Sequence, residues 1–235
     1  PTKKQVSSFK GVQTGNIVDA MGGMGAMDGE IQLITARKKI KNSIAGIALT
    51  CQCGPADNLA TIAAIETSLP GDIIVASTDD FQQTAVAGDL ILGIARNRGV
   101  EGFITDGSVR DLSGINNLGI PCFSKGVVPN SPAKNGPGKV GTPVVVGGVN
   151  VNSGDIIVAD TDGVVVVPIL MIDEEKQNLL KICGAEKEAE KKVKSGAKKL
   201  KKLPSRSDNG HPKSWKNLKR PEVGDWREKA GLAQM

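Results

Sequence analysis

One short segment, Gly-Asp-Ile-Ile-Val-Ala, occurs twice in this chain, at 71–76 and again at 154–159. Each copy begins with a Gly-Asp pair that favours a turn, and continues as an apolar run too short for a helix. The copies lie 83 residues apart with no fixed period, which excludes a solenoid. We therefore predict two separate units, each made of a turn followed by a buried strand.

The remaining pattern alternates short strands with helices. Apolar runs predict further strands at 31–36, 43–50, 102–105 and 121–124, and a hairpin through Asp162-Gly163 into 164–168. Helical spacing predicts helices at 13–21 (capped by Thr14 or Asn16), 58–68, 90–98, 111–118 and 170–202, with a Gly- and Pro-rich loop at 125–139. This order favours a layered, mixed α/β fold in which a βα portion packs on a second, more antiparallel sheet.

Charge divides the chain into two parts. Residues 1–184 contain 15 Lys/Arg and 18 Asp/Glu, whereas 185–235 contain 15 and 7, so a mildly acidic body precedes a basic tail. We predict one domain at 1–168 and, at 169–235, a helix and tail that pack on a neighbouring subunit. Only Trp215 and Trp226 interrupt the basic tail with aromatic rings, which argues against nucleic-acid binding.

Composition excludes several classes of protein. No apolar run approaches the roughly 18 residues of a membrane span, and no signal-peptide core is evident, so a soluble cytoplasmic protein is expected. Four cysteines in a chain of this length do not make a disulfide framework, although Cys51 and Cys53 should point to the same side of a strand. His211 is the only histidine, which argues against Ser-His or Cys-His catalysis.

The segment Asp106–Asp111 carries the candidate chemistry. It follows the apolar run 102–105, and its Gly-Ser pair predicts a tight turn from which Arg110 and Asp111 point in different directions. A guanidinium beside a carboxylate suits a small 2-oxo acid together with a hard divalent metal ion. The alternative is a surface Arg followed by a helix-capping Asp.

A second candidate is the segment Gly88–Ile91, at the predicted start of a helix. Free backbone N–H groups and the helix dipole make such a start an anion site without any side chain. An ordinary Gly-Asp helix cap is the alternative.

These motifs resemble the RraA-like superfamily and, more narrowly, the 4-hydroxy-4-methyl-2-oxoglutarate/4-carboxy-4-hydroxy-2-oxoadipate aldolases. The resemblance runs from about Asp19 to Pro168, and includes Asp89 followed after twenty residues by Arg110-Asp111. It implies a β/β/α swivelling-type domain that assembles as a homotrimer or homohexamer. It also implies a metal-dependent (class II) pyruvate aldolase, with oxaloacetate decarboxylation as a side activity.

The resemblance also implies roles for individual residues. The substrate carboxylate would be bound by Gly88, Leu90 and Ile91, and the ketone oxygen by Arg110. Asp111 would hold Mg²⁺ or Mn²⁺, and Asp89 would hold a metal-bound water that relays protons. A glutamate from a neighbouring subunit would complete the site, with Glu186 favoured over Glu188 and Glu190. The polar position near the pocket would be Asn58, for which a satisfied loop or capping Asn is the alternative.

Two other functions are compatible with the same scaffold. Ribonuclease-binding RraA proteins resemble this chain but lack the carboxylate that Asp111 supplies. A different metal-dependent enolate enzyme is the other possibility. No lysine suggests Schiff-base chemistry, since nothing marks the surroundings of Lys125 as apolar.

Overall fold

The structure is a computed structural model that describes residues 1–35 and 43–196. The predicted basic turn at 37–41 lies outside the described residues. So does the chain after residue 196, including His211, Trp215 and Trp226.

Six α-helices occur in the described part of the chain, and most coincide with the helical patterns in the sequence. They are α1 (Lys3–Ser7), α2 (Thr14–Ala20), α3 (Leu59–Thr67), α4 (Asp89–Asn97), α5 (Leu112–Leu118) and α6 (Ile172–Lys194), the last preceded by a 3-10 turn at Ile169–Met171.

The strands are short, and the described residues contain thirteen of them. They are β1 (Gln32–Leu33), β2 (Ile44–Gln52), β3 (Asp72–Ser77), β4 (Ala85–Ala87), β5 (Gly102–Thr105), β6 (Ser108–Val109), β7 (Cys122–Ser124), β8 (Gly126–Val127), β9 (Lys139–Val140), β10 (Val144–Val146), β11 (Val149–Val151), β12 (Ile156–Ala159) and β13 (Val164–Val167).

Strand β2 is an interior strand of the main sheet, whose order is β1-β7-β5-β3-β2-β12-β13, with β9 also paired to β2. The two copies of the repeated segment form its neighbours: β3 runs parallel to β2, and β12 runs antiparallel to it. Ile47 faces Asp72 on one side and Ile156 on the other. The two predicted turn-and-strand units are therefore confirmed.

Side chains that alternate between the two faces of this sheet pack into three buried clusters. On β3, Ile74 and Ala76 pack in a cluster with α3, α4 and α5, whereas Ile73 and Val75 pack in a cluster with the β10–β11 hairpin. A third cluster joins α1, α2 and α6 to strands β12 and β13. The layered β/β/α architecture predicted from the sequence is confirmed, and so is the long C-terminal helix.

A separate three-stranded parallel sheet, in the order β4-β6-β8, positions the functional residues. Val86, Ala87 and Val109 are buried in the cluster that contains α3, α4 and α5. One residue separates β4 from α4, and two residues separate β6 from α5. This small sheet therefore brings the starts of two helices together.

Several local predictions were wrong. Gln13 occupies the N-cap position of α2 without a side-chain capping bond, so neither Thr14 nor Asn16 caps the helix. The Thr14 N–H and hydroxyl both donate to the Asp160 carboxylate at 2.8 Å instead. In the predicted strand at 31–36, only Gln32–Leu33 pair as a strand among the described residues. The antiparallel strands β12 and β13 extend the main sheet, and the second β layer is the unpredicted hairpin at 144–151.

Two smaller features bear on the sequence analysis. Cys51 and Cys53 do point to the same side, since both sulfurs lie near the Thr61 hydroxyl, at 3.8 and 3.1 Å. None of the helices within 1–35 and 43–196 is long and apolar enough to cross a membrane.

Candidate active site

Arg110 and Asp111 lie between strand β6 and helix α5. The chain bends at Asp106-Gly107, one residue before the predicted Gly107-Ser108 turn, and Ser108 already begins β6. The Arg110 N–H donates to the carbonyl of Ala87 at 3.0 Å. Asp111 adopts a left-handed backbone conformation (φ 59°, ψ 43°), which Asp tolerates better than most residues. Asp111 occupies the N-cap position of α5, but its side chain makes no capping hydrogen bond. Its carboxylate is therefore available for another partner.

The side chains of Arg110 and Asp111 meet, so the prediction that they point in different directions was wrong. Arg110 Nε lies 3.2 Å from Asp111 Oδ2, and the Arg110 guanidinium also donates to the Ser131 hydroxyl. The left-handed backbone at Asp111 interrupts the alternation of an extended chain that would have separated the two side chains. The arrangement is a half-exposed ion pair.

The start of helix α4 lies beside this pair. Gly88 is its N-cap, Asp89 is its first residue, and no side chain caps the terminus. The first N–H groups of a helix have no partner within the helix, so those of Asp89, Leu90 and Ile91 are directed out of its end. The uncapped helix start on which the anion-site prediction rests is therefore present, and anion binding itself stays a prediction.

Two glycines permit the close approach of these elements. A Cβ atom at Gly88 would lie 2.7 Å from Asp111 Oδ2 and 3.2 Å from Arg110 Cγ. A Cβ atom at Gly114, on α5, would lie 2.6 Å from the Cβ of Asp89. Such distances are too short for real contacts, so both carboxylates occupy space that side chains at 88 and 114 would fill.

Asn58 contributes an unpaired acceptor. Its side chain is buried, and Nδ2 donates to the carbonyl of Val86 at 3.1 Å, while Oδ1 has no hydrogen-bond partner among the described residues. Although Asn58 occupies the N-cap of α3, it does not cap the helix. No described residue satisfies the Asn58 carbonyl oxygen. A buried acceptor without a partner costs about 1–3 kcal/mol, which favours a ligand that donates to it.

These residues share one pocket of about 410 Å³, within the usual range for small-molecule sites (about 300–1,000 Å³). The structure brings together all the predicted site residues that belong to the body of the chain. The residues that line the pocket are Asn58, Ala85, Ala87, Gly88, Asp89, Leu90, Ile91, Arg110, Asp111, Ser131, Pro132 and Lys134.

Sequence reasoning missed Ser131 and Lys134. Both belong to the stretch predicted only as a Gly- and Pro-rich loop, and no local pattern distinguishes them. Their position depends on Asp57, whose Oδ2 accepts the N–H groups of Asn135 and Gly136 at 2.6 and 3.0 Å. The sequence carries no signal for this link, because the burial and the partners of Asp57 are visible only in the structure.

Asp57 also caps helix α3, because its Oδ1 accepts the N–H of Leu59 at 2.8 Å. Desolvation acts to raise the pKa of Asp57, but the backbone donors of Leu59, Asn135 and Gly136 outweigh it and lower the pKa below its ordinary value. One ionised carboxylate thus ties the loop to the start of α3.

Glu186 lies elsewhere in the chain. It is on α6, where its carboxylate accepts a hydrogen bond from Asn16 Nδ2, in a groove between α6 and residues 11–16. Glu188 and Glu190 form ion pairs with Lys191 and Lys194 on the same helix. Within one chain, none of the three glutamates lines the pocket. Completion of the site by a neighbouring subunit remains a prediction.

Lys125 is an ion-paired lysine and not a nucleophile. Its ammonium group lies 2.7 Å from Asp80 Oδ1, with Glu30 and Asp28 at 3.4 and 3.7 Å. The hydrogen bond with Asp80 raises the pKa of Lys125 above its ordinary value, despite its burial. Schiff-base chemistry requires the opposite shift.

The donor set of the pocket fits a hard divalent cation. Asp89 and Asp111 supply two carboxylates, and no cluster of three or more His, Cys, Asp or Glu suited to a metal occurs in the described residues. A zinc site usually needs three or four protein ligands, whereas Mg²⁺ is commonly held by one or two carboxylates plus water. The residues present therefore fit Mg²⁺ or Mn²⁺.

Comparison with known proteins gives consistent matches. The model of the family described as "RraA-like: Aldolase/RraA" matches residues 14–166. A protein of Halalkalibacterium halodurans that carries the provisional name 4-hydroxy-4-methyl-2-oxoglutarate aldolase is 34% identical over 163 residues, which is 69% of this chain and 76% of that protein.

Solved structures have the same fold. An uncharacterized protein of Pseudomonas syringae superposes with a TM-score of 0.73 at 25% identity, covering 84% of this chain and 91% of its own. The Streptomyces coelicolor protein RraAS2, described as an unusual member of the RNase ES inhibitor RraA family, gives 0.72 at 26% identity, covering 82% and 99%.

The contact between Asp89 and Gly114 generates a prediction about stability. Gly114→Ala should lower the free energy of unfolding by about 1–3 kcal/mol, because the added methyl group overlaps Asp89. The loss should shrink by at least about 1 kcal/mol in an Asp89→Gly background, where the overlapping atoms are removed. Urea denaturation of the four proteins in this cycle measures the coupling.

Gly93→Ala is the matched control, since Gly93 is also helical and its added Cβ would meet only Leu118 at 3.6 Å. That variant should be as stable as the parent, or more stable by up to about 1 kcal/mol. Strict additivity of Asp89→Gly and Gly114→Ala would show that the two residues are not in contact.

Proposed function

Because this chain belongs to the RraA-like (aldolase/RraA) family, we propose that it is a divalent-metal-dependent pyruvate aldolase. Its substrate is a 4-hydroxy-2-oxo di- or tricarboxylate, and its products are pyruvate and a second oxo acid. Oxaloacetate decarboxylation follows through the same enolate as a side reaction. The observation that carries the proposal is the pocket in which Arg110, Asp111 and Asp89 surround the uncapped start of α4.

The start of α4 binds the carboxylate next to the ketone. The N–H groups of Asp89, Leu90 and Ile91 and the helix dipole favour an anion there. Arg110 then faces the ketone oxygen, which becomes negatively charged as the bond between C3 and C4 breaks. A guanidinium in place before the reaction stabilises this developing charge, an effect of about 3–4 kcal/mol for a comparable oxyanion donor.

Asp111 would hold Mg²⁺ or Mn²⁺, with Asp89 nearby in the same pocket. When bound, a divalent cation polarises the 2-oxo group and so favours the enolate. Asp111 fits this role because its side chain does not cap α5, and because Gly88 leaves room beside its Oδ2.

Asp89 moves the proton. Its carboxylate accepts the proton of the C4 hydroxyl through a water molecule, and the electrons of the bond between C3 and C4 pass into the enolate of pyruvate. The same proton returns to C3, which becomes the methyl group of pyruvate. Asn58 Oδ1, buried and unpaired, accepts a hydrogen bond from the substrate hydroxyl or from that water.

We also propose that a neighbouring subunit covers the pocket in a homotrimer or homohexamer. Leu90 lines the pocket and is 80% exposed, and Ile94, one turn further along α4, is 55% exposed. Large apolar side chains at these positions favour burial against a partner. Glu186 is the first candidate to reach the pocket from that subunit, followed by Glu190 and Glu188.

A second candidate function is ribonuclease binding without catalysis, since RraAS2 is described as belonging to an RNase inhibitor family. The pair of pocket carboxylates beside Arg110 favours the aldolase. Absence of pyruvate release from a panel of 4-hydroxy-2-oxo acids with any divalent cation, together with binding to a ribonuclease, would favour the regulator. Turnover of an unrelated 2-oxo acid alone would indicate a different enolate enzyme.

The first functional prediction is an absolute requirement for a divalent cation. Pyruvate release, followed with a coupled dehydrogenase, should cease in EDTA and return on addition of excess Mg²⁺ or Mn²⁺. Incubation with substrate and borohydride should leave the mass of the protein unchanged. Full activity in EDTA, or a covalent adduct on a lysine, would refute the mechanism.

The second functional prediction separates Arg110 from Asp111. Arg110→Ala should lower kcat by about 10²–10³ while Mn²⁺ still binds, because the lost group stabilises enolate charge. Asp111→Ala should abolish both turnover and Mn²⁺ binding, because the lost group is the ligand. Electron paramagnetic resonance titration with Mn²⁺ measures binding independently of activity, and a wild-type rate in Arg110→Ala would contradict the assignment.

The third functional prediction concerns Glu186. Asp111→Ala and Glu186→Ala proteins should each be inactive, but should regain part of the activity when mixed under conditions that exchange subunits. Some interfaces in the mixture then have both residues intact. Glu174→Ala, an exposed change on the same helix, is the control that should remain active by itself. Mixed oligomers without activity, or an active monomer in sedimentation, would contradict a shared site.

A further inference from the structure

Lys134 is a second cation in the pocket. The charged side chains that line the pocket are Asp89, Asp111, Arg110 and Lys134. Arg110 is already engaged by Asp111 and by Ser131. Lys134 makes no ion pair with any described residue, so its charge is available to a ligand.

The loop that carries Lys134 is fixed in place. The backbone of Ala133 bonds to both neighbours of Asp57: its N–H donates to the Ala56 carbonyl at 2.7 Å, and its carbonyl accepts the Asn58 N–H at 3.0 Å. On the other side of Lys134, the Asp57 carboxylate accepts the N–H groups of Asn135 and Gly136. Both residues adjacent to Lys134 are therefore tied to the start of α3.

We propose that Lys134 is the specificity-determining residue for the substrate's second carboxylate, the one attached to C4. This rests on the proposed function. The start of α4 and Arg110 account for the first carboxylate and the ketone, and neither is free for another anion. Lys134 is the remaining cation in the pocket, and an ammonium group pairs well with an anion as a compact charge. Asp57 acts as a positioning residue for it.

A Schiff-base role is the competing interpretation of a lysine in this pocket. Lysines that form Schiff bases are activated by desolvation or by a neighbouring cation. Lys134 is exposed, and its loop is held by a carboxylate. The geometry points to a charge that recognises substrate, and not to a nucleophile.

The test compares two substrates that differ only at the group in question. 4-Hydroxy-2-oxoglutarate has a carboxylate on C4, whereas 4-hydroxy-2-oxopentanoate has a methyl group there, and both release pyruvate. For Lys134→Met, the ratio of kcat/KM for the first substrate to kcat/KM for the second should fall about tenfold, mainly through KM. Lys134→Arg should recover most of the ratio, because it restores the charge.

Lys139→Met is the matched control. Lys139 is exposed and lies five residues further along, on β9, but does not line the pocket. For Lys139→Met, the ratio of kcat/KM for the two substrates should stay within about twofold of the parent value.

Salt gives a second test, because dissolved ions screen an exposed charge. In the parent protein the same kcat/KM ratio should decline on the order of severalfold as NaCl rises from 0.05 to 0.5 M. In Lys134→Met the ratio should not change with salt.

Each outcome has a distinct meaning. An unchanged ratio in Lys134→Met, or equal losses on both substrates, would overturn the role of Lys134 while the aldolase assignment stands. Loss of all turnover in Lys134→Met together with a borohydride-trapped adduct in the parent would replace the inference with a Schiff-base mechanism. A parent protein that cleaves neither substrate would instead refute the proposed function, and the inference with it.

Discussion

The close contact between the starts of α4 and α5 is the constraint on which the rest of the site depends. Gly88 approaches the Arg110-Asp111 pair so closely that a Cβ atom would lie 2.7 Å from a carboxylate oxygen. Asp89 packs against Gly114 in the same way. The small parallel sheet β4-β6-β8 holds the two helix starts at this separation. Without it, the uncapped start of α4 and the two carboxylates would belong to different parts of the surface.

Much of the fold could be predicted from sequence because its strands are short, apolar and bounded by turns. The two Gly-Asp-Ile-Ile-Val-Ala copies are the clearest case. Both form buried strands, although one pairs with β2 in parallel and the other antiparallel. The hairpin at 144–151 was missed although Gly147-Gly148 separates two valine runs, a recognised turn signal. Helix α1 was missed despite the capping box of Thr2 and Gln5, because five residues are too few for a helical period.

Most of the candidate site was predicted from residues close in sequence to a recognisable motif. Gly88–Ile91 and Arg110-Asp111 are of that kind, and they do share a pocket. Asn58 was predicted from the resemblance alone. The ion pair between Arg110 and Asp111 was not predicted, because it depends on one left-handed residue. The loop of Lys134 is held by Asp57, 77 positions earlier, and by the backbone of its two neighbours. Such long-range hydrogen bonds leave no periodic signal in a sequence.

The charges of the pocket also constrain how a ligand enters it. Two carboxylates and two cations line the pocket, so its formal charge is zero. A dicarboxylate alone would bring two negative charges, and a divalent cation alone would bring two positive ones. Together they are neutral, so the pocket and its two ligands keep a net charge of zero. Either ligand alone would leave two charges in the pocket without a counter-charge. On the proposed mechanism, cation and substrate therefore bind cooperatively. Under this proposal Arg110 would turn from Asp111 to the ketone oxygen, and Asp111 would then be free to hold the cation. In the structure the two side chains compensate each other through their ion pair.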